Sequence, residues 1–358
     1  MNVLKDKKLV LETGQEFTGI GYGSDSPAVG EIIFNTSMVG YQEILSDPAY
    51  AGQIVVMTYP LMGQYGIMDE DSESRSCVLS GLVVRECCDT PSNFRYTKTL
   101  SEALEENGVA CIAGPDTRML TRIIRDNGCM KAAIVDADVP VSEALALISS
   151  SRVVTDQVAK VSCSKRWFSR TPNHRHDVVV VDCGLKHSII NALNNRGCNV
   201  TVVPFSTSAA EIASFNPDGV VISNGPGDPH ALPALIELAR ELRGRFPMLG
   251  ICLGHEIIAM SYGAAVEALK FGHHGGHPVR DLSTGAIITT EHNHKFAVVE
   301  ASLEGTGLSV SYKDVSDGTV EGLECAADKV IGVQFYPEGA PGPDENGVFD
   351  RFISMMEE

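Results

Sequence analysis

Four consecutive valines, Val178-Val179-Val180-Val181, running into Asp182, constrain this chain more than any other stretch. Each is β-branched and apolar, so whichever way the strand turns, both of its faces must be covered. Such strands belong to parallel sheets with helices packed on either side. The residues that follow have the matching grammar. A helical stretch, His187-Ser188-Ile189-Ile190-Asn191-Ala192-Leu193, leads through Gly197 to the strand Asn199-Val200-Thr201-Val202-Val203-Pro204. Gly219-Val220-Val221-Ile222-Ser223 and Met248-Leu249-Gly250-Ile251 are two further strands, with a helix over 231–242 between them. Alternating β and α units predict an α/β fold with an open parallel sheet from 177 to 358, and ligands of such sheets sit beyond the carboxyl ends of the strands.

The first half is built differently. Leu9-Val10-Leu11-Glu12, the turn Thr13-Gly14, and Glu16-Phe17-Thr18-Gly19-Ile20 alternate as strands do. Glu31-Ile32-Ile33-Phe34-Asn35 and Gln53-Ile54-Val55-Val56-Met57-Thr58 are further β-rich runs, and Gly19-Ile20-Gly21-Tyr22-Gly23 reads as a glycine-rich strand end. Helical spacing comes later, over 117–125, and stops at Asn127-Gly128. Strands first and helices after predict an α+β domain over 1–150. From 151 to 176 the pattern breaks down, and the polar, proline-containing string Ser164-Lys165-Arg166-Trp167-Phe168-Ser169-Arg170-Thr171-Pro172 reads as a linker. Two domains fit the 358 residues.

Charge and cysteine usage exclude several classes. The net charge of -18 disfavours a nucleic-acid partner, which requires Lys and Arg against phosphate. No apolar run approaches the roughly 18 residues needed to span a membrane, and Met1-Asn2-Val3-Leu4-Lys5-Asp6 lacks a secretory core, so a cytoplasmic location is expected. The ten cysteines include no Cys-x-x-Cys pair, and vicinal Cys87 and Cys88 are expected as reduced thiols.

One cysteine stands in a reactive setting. Met248-Leu249-Gly250-Ile251-Cys252-Leu253-Gly254-His255-Glu256 reads as a strand, a tight turn and a helix, and glycines on both sides of Cys252 allow the sharp turn of a nucleophile elbow. A helix N-terminus beneath a thiol favours the thiolate. A buried small cysteine between two packing glycines is the competing explanation of the same string. Three other segments join it: Ser223-Asn224-Gly225-Pro226-Gly227-Asp228-Pro229, whose backbone N–H groups can face an oxyanion; Asn293-His294-Lys295-Phe296 after a strand over 286–290; and Gly332-Val333-Gln334-Phe335-Tyr336-Pro337-Glu338, a strand running into a turn with a carboxylate. His273, His274 and His277 raise the question of a metal, but no Cys or carboxylate near them in sequence completes a set, and no metal is expected.

In this order, Gly-Pro-Gly-Asp-Pro, Gly-x-Cys-x-Gly-His, Asn-His-x-Phe and x-Pro-Glu resemble the class I glutamine amidotransferases. Lys270-Phe271-Gly272-His273-His274-Gly275-Gly276, the run from Phe34 through Pro48, Tyr50-Ala51-Gly52-Gln53-Ile54-Val55, and Asp116 through Arg122 narrow the resemblance to the carbamoyl-phosphate synthetase small-subunit family, across essentially the whole chain. The resemblance implies that a cysteine thiolate attacks the side-chain amide of L-glutamine, ammonia leaves, and water hydrolyses the thioester. It implies a large-subunit partner, contacted through the domain at 1–150, which uses that ammonia in carbamoyl phosphate synthesis for arginine or pyrimidine pathways. The chain holds no Gly-x4-Gly-Lys-Ser/Thr string, so ATP and Mg are expected on the large subunit and no cofactor in this chain. Position by position, Cys252 would be the nucleophile and Glu338 the acid of the triad. Leu253 and Gly225 would donate to the oxyanion with Gly227 beside them, and Ser37, Asn293 and Phe296 would line the glutamine pocket.

Three positions depart from the family's pattern. The triad base, a histidine before Pro-Glu, is Tyr336; a phenol with a reference pKa near 10 neither takes the thiol proton nor protonates ammonia efficiently at pH 7. The glutamine-binding Gln after Gly-His is Glu256, and the Gly after Asn-His is Lys295. Glu256 and Lys295 are expected to pair within the pocket. Glutaminase activity is therefore expected to be weak or lost. An inactive structural or allosteric partner of an ammonia-using synthetase, rescue by His255 or His294, and a diverged amidotransferase with another acceptor are the competing readings.

Overall fold

A computed structural model describes residues 5–75, 77–151, 156–339 and 346–357. Residues 1–4, where no secretory core is expected, and 152–155 of the expected linker lie outside the described residues. Backbone contacts divide the chain into two units, Met1–Val154 and Thr155–Glu358.

The first unit contains β1 (Asp6–Leu11), β2 (Glu16–Gly23), β3 (Ala28–Asn35), β4 (Gln53–Met57), β5 (Leu61–Met62), β6 (Gly81–Val84), β7 (Glu86–Cys87), β8 (Ala110–Ala113) and β9 (Met130–Asp136). Seven of these close into a barrel in the order β1-β2-β8-β6-β4-β3-β9, with β9 pairing back onto β1. The pairs β3–β4, β4–β6 and β6–β8 are parallel, which requires crossovers rather than hairpins. Two short helices, Tyr41–Ser46 and Leu100–Glu106, lie in such crossovers. The helix Thr117–Asn127 starts on the Asp116 side chain, which accepts from the Met119 N–H at 2.9 Å, and stops at Gly128 with φ 88°.

The second unit contains β10 (Trp167–Ser169), β11 (His176–Asp182), β12 (Cys198–Pro204), β13 (Gly219–Ile222), β14 (Met248–Ile251), β15 (Val266–Asp281), β16 (Ile287–Val298), β17 (Ser309–Asp314), β18 (Val320–Cys325) and β19 (Val330–Val333). They form one sheet in the order β10-β12-β11-β13-β14-β19-β18-β16-β15-β17. Its parallel heart lies over β12-β11-β13-β14-β19. The valine run behaves as its chemistry demands. Val179 and Val181 enter one core with Ile212, Leu235 and Ile257, while Val178 and Val180 enter the other with Ile189, Phe349 and Phe352. Within 151–176, Gln157–Val161 is helical and β10 pairs antiparallel with β12.

The expected fold class, an α+β domain followed by an open parallel sheet, needs correction. The first unit's strands close into a barrel with helices interleaved between them. In the second unit the sheet ceases to be parallel at β19, and β17 pairs both β15 and β18, so that β18, β16, β15 and β17 close into a ring. The reason is local. Asp281 Oδ1 accepts from Ser283 N at 2.8 Å in a tight turn joining β15 to β16, and Asp314 N donates to Thr319 O at 2.9 Å between β17 and β18. Strands joined by turns this short can only run antiparallel. Among the described residues no helix is long and apolar enough to cross a membrane.

Candidate active site

The buried strand β14 ends at Cys252, and the helix Leu253–Ser261 begins directly after it. Cys252 has φ 52° and ψ -109°, a conformation that costs a non-glycine residue about 1–3 kcal/mol. The surroundings enforce it. Cys252 N–H donates to Val333 O at 2.8 Å, and Cys252 O accepts from Glu256 N at 3.1 Å. The flanking glycines are required by close approach: a Cβ on Gly254 would stand 2.0 Å from Ile222 O, and one on Gly250 would stand 2.6 Å from Gly254 O. The helix is thereby pressed onto β13, and Cys252 stands at its N-terminus. The Cys252 thiol is buried and lies 3.5 Å from Asn293 O.

Gly225 and Gly227 lie in the loop after β13, which packs on the elbow: the Leu253 side chain would be 2.9 Å from a Cβ on Gly225.

Tyr336 shares a packed cluster with Cys252, Ile251, Val333 and Phe335. Its N–H donates to Glu291 O at 2.9 Å. Glu338 is buried, and its Oε1 lies 2.7 Å from Lys186 Nζ. The same ammonium stands 4.3 Å from the centre of the Tyr336 ring, within cation–π range. Lys186 was not singled out from the sequence. Its signal was available, since Gly184-Leu185-Lys186 follows the valine strand at its carboxyl end, where such sheets hold functional groups. Asp182 shapes that turn by accepting from Gly184 N and Leu185 N, each at 2.9 Å.

Glu256 lies one helical turn beyond the elbow, buried, and its Oε1 accepts from Gln334 Nε2 at 2.9 Å. Among the described residues it takes Gln334 as its partner, so the pair expected with half-buried Lys295 is not formed. Burial raises the Glu256 pKa to about 8, the Gln334 hydrogen bond opposes this, and Asp228 and Glu321 add to it. At pH 7 Glu256 is thus mainly a neutral acid, nearer in hydrogen-bonding character to a glutamine than an ionised glutamate would be.

Neither alternative histidine is offered to the thiol. His255 is fully buried beside Gly332, and burial lowers its pKa to about 4. His294 Nδ1 donates to Phe296 O at 2.8 Å, and its other nitrogen faces His292. Asn293, His294, Lys295 and Phe296 were expected after a strand; they lie within β16, which continues through them. The alternation of that strand turns Asn293 to the side where His274 Nδ1 meets its Oδ1 at 2.9 Å, and turns His292 and His294 to the other. Phe296 is half-buried against the core, 6.2 Å between ring centres from His230. Ser37 belongs to the first unit, where its N–H donates to Asn35 Oδ1 at 2.7 Å just after β3.

His273, His274 and His277 were expected to have no completing carboxylate. They lie in β15, and carboxylates from distant β17 and β18 meet two of them: Glu321 Oε1 is 3.1 Å from His273 Nδ1, and Asp314 Oδ2 is 3.1 Å from His277 Nδ1. Sequence proximity could not reveal partners that only the strand ring brings together.

Known proteins agree with this architecture. Residues 9–134 match the family described as "Carbamoyl-phosphate synthase small chain, CPSase domain", and residues 179–355 match "Glutamine amidotransferase class-I". The carbamoyl phosphate synthase pyrimidine-specific small chain of Halalkalibacterium halodurans is 46% identical over 353 residues, 98% of this chain and 97% of the relative. The small chain of Bacillus caldolyticus is 46% identical over 354 residues, with the same coverage, and that of Listeria innocua is 47% identical over 350 residues, 97% of this chain and 96% of the relative. With near-complete coverage on both sides and an elbow cysteine inside the residues that match the amidotransferase family, this chain belongs to the carbamoyl-phosphate synthase small-chain family.

Proposed function

We propose that this chain is the small, glutamine amidotransferase subunit of a carbamoyl-phosphate synthetase serving arginine or pyrimidine synthesis, and that its own glutaminase is weak or lost. In this reading it sits in the cytoplasm and pairs with a large subunit that carries ATP, Mg and the bicarbonate chemistry. L-glutamine would lie among Glu256, Asn293, Lys295 and Phe296. The Cys252 sulfur would attack its side-chain amide, Leu253 and Gly225 N–H groups would hold the oxyanion, and ammonia would leave a thioester that water then cleaves.

Two proton transfers limit this sequence: one off the thiol and one onto the departing nitrogen. The observation that carries the proposal is that Tyr336 stands before Pro337-Glu338 while His255 is buried against Gly332 and His294 is bonded to the Phe296 carbonyl. General acid–base groups contribute about 10²–10⁴-fold in rate, so a loss of that size is expected.

The test uses the complex with its large subunit, comparing carbamoyl phosphate formation from glutamine and from ammonium. Ammonium should support synthesis, glutamine should do so about 10²–10⁴-fold less well than in a histidine-containing relative, and Tyr336→His should raise the glutamine rate. Equal use of both nitrogen sources by the unaltered chain would overturn the loss, and failure to bind a large subunit would overturn the subunit assignment. A second reading, a purely structural or allosteric partner of an ammonia-using synthetase, is favoured by Glu256 being tied to Gln334 inside the pocket. It predicts no gain from Tyr336→His but a change in ammonia-dependent synthesis when this chain is removed.

A further inference from the structure

We propose that His273, His292, His294 and Glu321 form a closed, four-coordinate zinc site on the side of β16 opposite Cys252. The four come from β15, β16 and β18, are all buried, and bring one ligand atom each to within 4.8 Å of all the others. Zinc bonded at about 2.0–2.1 Å in a tetrahedron implies edges of about 3.3–3.4 Å between ligand atoms. Four contacts around the centre lie near that figure, with Glu321 turning Oε1 to His273 and His294 and Oε2 to His292: His273 Nδ1 to Glu321 Oε1 is 3.1 Å, His292 Nδ1 to His294 Nε2 is 3.3 Å, His292 Nδ1 to Glu321 Oε2 is 3.5 Å and His294 Nε2 to Glu321 Oε1 is 3.8 Å.

The outward nitrogens fix which way the lone pairs point. His294 Nδ1 faces the Phe296 carbonyl, which can only accept, so that nitrogen carries the proton and Nε2 presents a lone pair inward. His273 Nε2 faces Asp317 Oδ2 at 2.9 Å, leaving Nδ1 for the interior. Thr290 Oγ1 lies 2.7 Å from His292 Nε2 and 3.4 Å from His277 O; with the hydroxyl donating to that carbonyl, His292 Nε2 carries the proton and the Nδ1 lone pair faces inward. Imidazoles that ligate metals are held in this manner, by a carboxylate, carbonyl or hydroxyl on the far nitrogen.

Without a cation the interior is poorly satisfied. His292 Nδ1 and His294 Nε2 face each other at 3.3 Å, and Glu321 Oε2, fully buried, has no hydrogen-bond partner among the described residues. A proton offers only half a remedy. On His273 Nδ1 it would meet one oxygen of Glu321 and would not reach between His292 and His294. A metal ion answers all four groups at once. Three imidazole nitrogens exclude magnesium and calcium as preferred occupants, and four protein ligands with no open position describe a structural rather than a catalytic zinc. The ion would pin β16 to β15 and β18, and so hold the Asn293 carbonyl against the Cys252 sulfur.

The full chain, produced without a histidine tag and dialysed against metal-free buffer, should contain about one zinc per chain by mass spectrometric metal analysis. Cobalt loaded in its place should give the visible absorption of a tetrahedral ion. His292→Gln should lose the metal and lower the melting temperature of the loaded protein, while His277→Gln, outside the proposed set, should retain it. If His292→Gln does not fold, the cobalt spectrum of the unaltered chain decides. No zinc in that chain, even after refolding with zinc present, or an octahedral cobalt spectrum, would overturn the site. So would loss of metal in His277→Gln but not in His292→Gln.

Discussion

The protonated state of Glu256 can be read from stability alone. Its pKa rises from the ordinary 4.5 to about 8 on folding, chiefly through burial. Between those values the folded chain holds a proton that the unfolded chain has released, so stability from this residue is intact below pH 4.5 and falls as pH rises toward 8. At about 1.4 kcal/mol per pH unit, the penalty is about 1 kcal/mol at pH 5 and about 3 kcal/mol at pH 7, levelling near 5 kcal/mol above pH 8. Glu256→Gln keeps the shape and an oxygen to accept from Gln334 but never ionises. The variant should therefore be more stable than the parent, with a gap that widens by about 2 kcal/mol from pH 5 to pH 7. Urea titration followed by tryptophan fluorescence suits the question, because Trp167, the single tryptophan, lies in the second unit with Glu256. A gap that stays flat across this range would refute the assignment of a neutral acid at this position.

Two further expectations concern the same unit. Lys186→Met removes the ammonium 2.7 Å from the buried Glu338 carboxylate and should cost about 3–5 kcal/mol, most of it regained in the Lys186→Met/Glu338→Gln double variant, as read by the same urea titration. Gly254→Ala should reduce soluble yield sharply or cost about 3 kcal/mol or more, because its Cβ meets the Ile222 carbonyl at 2.0 Å; Gly263→Ala, with open space but φ 92°, should cost about 1 kcal/mol, and thermal melts of the two would expose any equality.

What the sequence disclosed was what depends on neighbours along the chain. The valines of β11 declared a strand covered on both faces because all four are apolar, and the elbow was legible because Gly250, Cys252 and Gly254 lie within five residues. The stop at Gly128 followed from a local backbone requirement. What stayed hidden depends on partners far away. His273 meets Glu321 across 48 positions, and Lys186 meets Glu338 across 152. Residues of β15 and β16 alternate between polar groups facing an enclosed ring and groups facing the nucleophile, so they lack the apolar period that marks a strand with one face in a hydrophobic core. That is why Asn293 read as lying beyond the end of a strand, and why an open parallel sheet was expected where the strands turn back on themselves.

The ring formed by β15 to β18 also bears on how this chain behaves in a crowded solution. An open sheet ends in strands whose unpaired backbone groups can recruit another chain. At one end of this sheet, β17 spends its hydrogen bonds on both β15 and β18, which leaves little edge to template growth. At the other end stands β10, three residues long, preceded by Lys165 and Arg166 and followed by Arg170. Shortness and positive charge are the usual protections of such an edge. A ten-stranded sheet thus carries little of the aggregation hazard its size would otherwise bring.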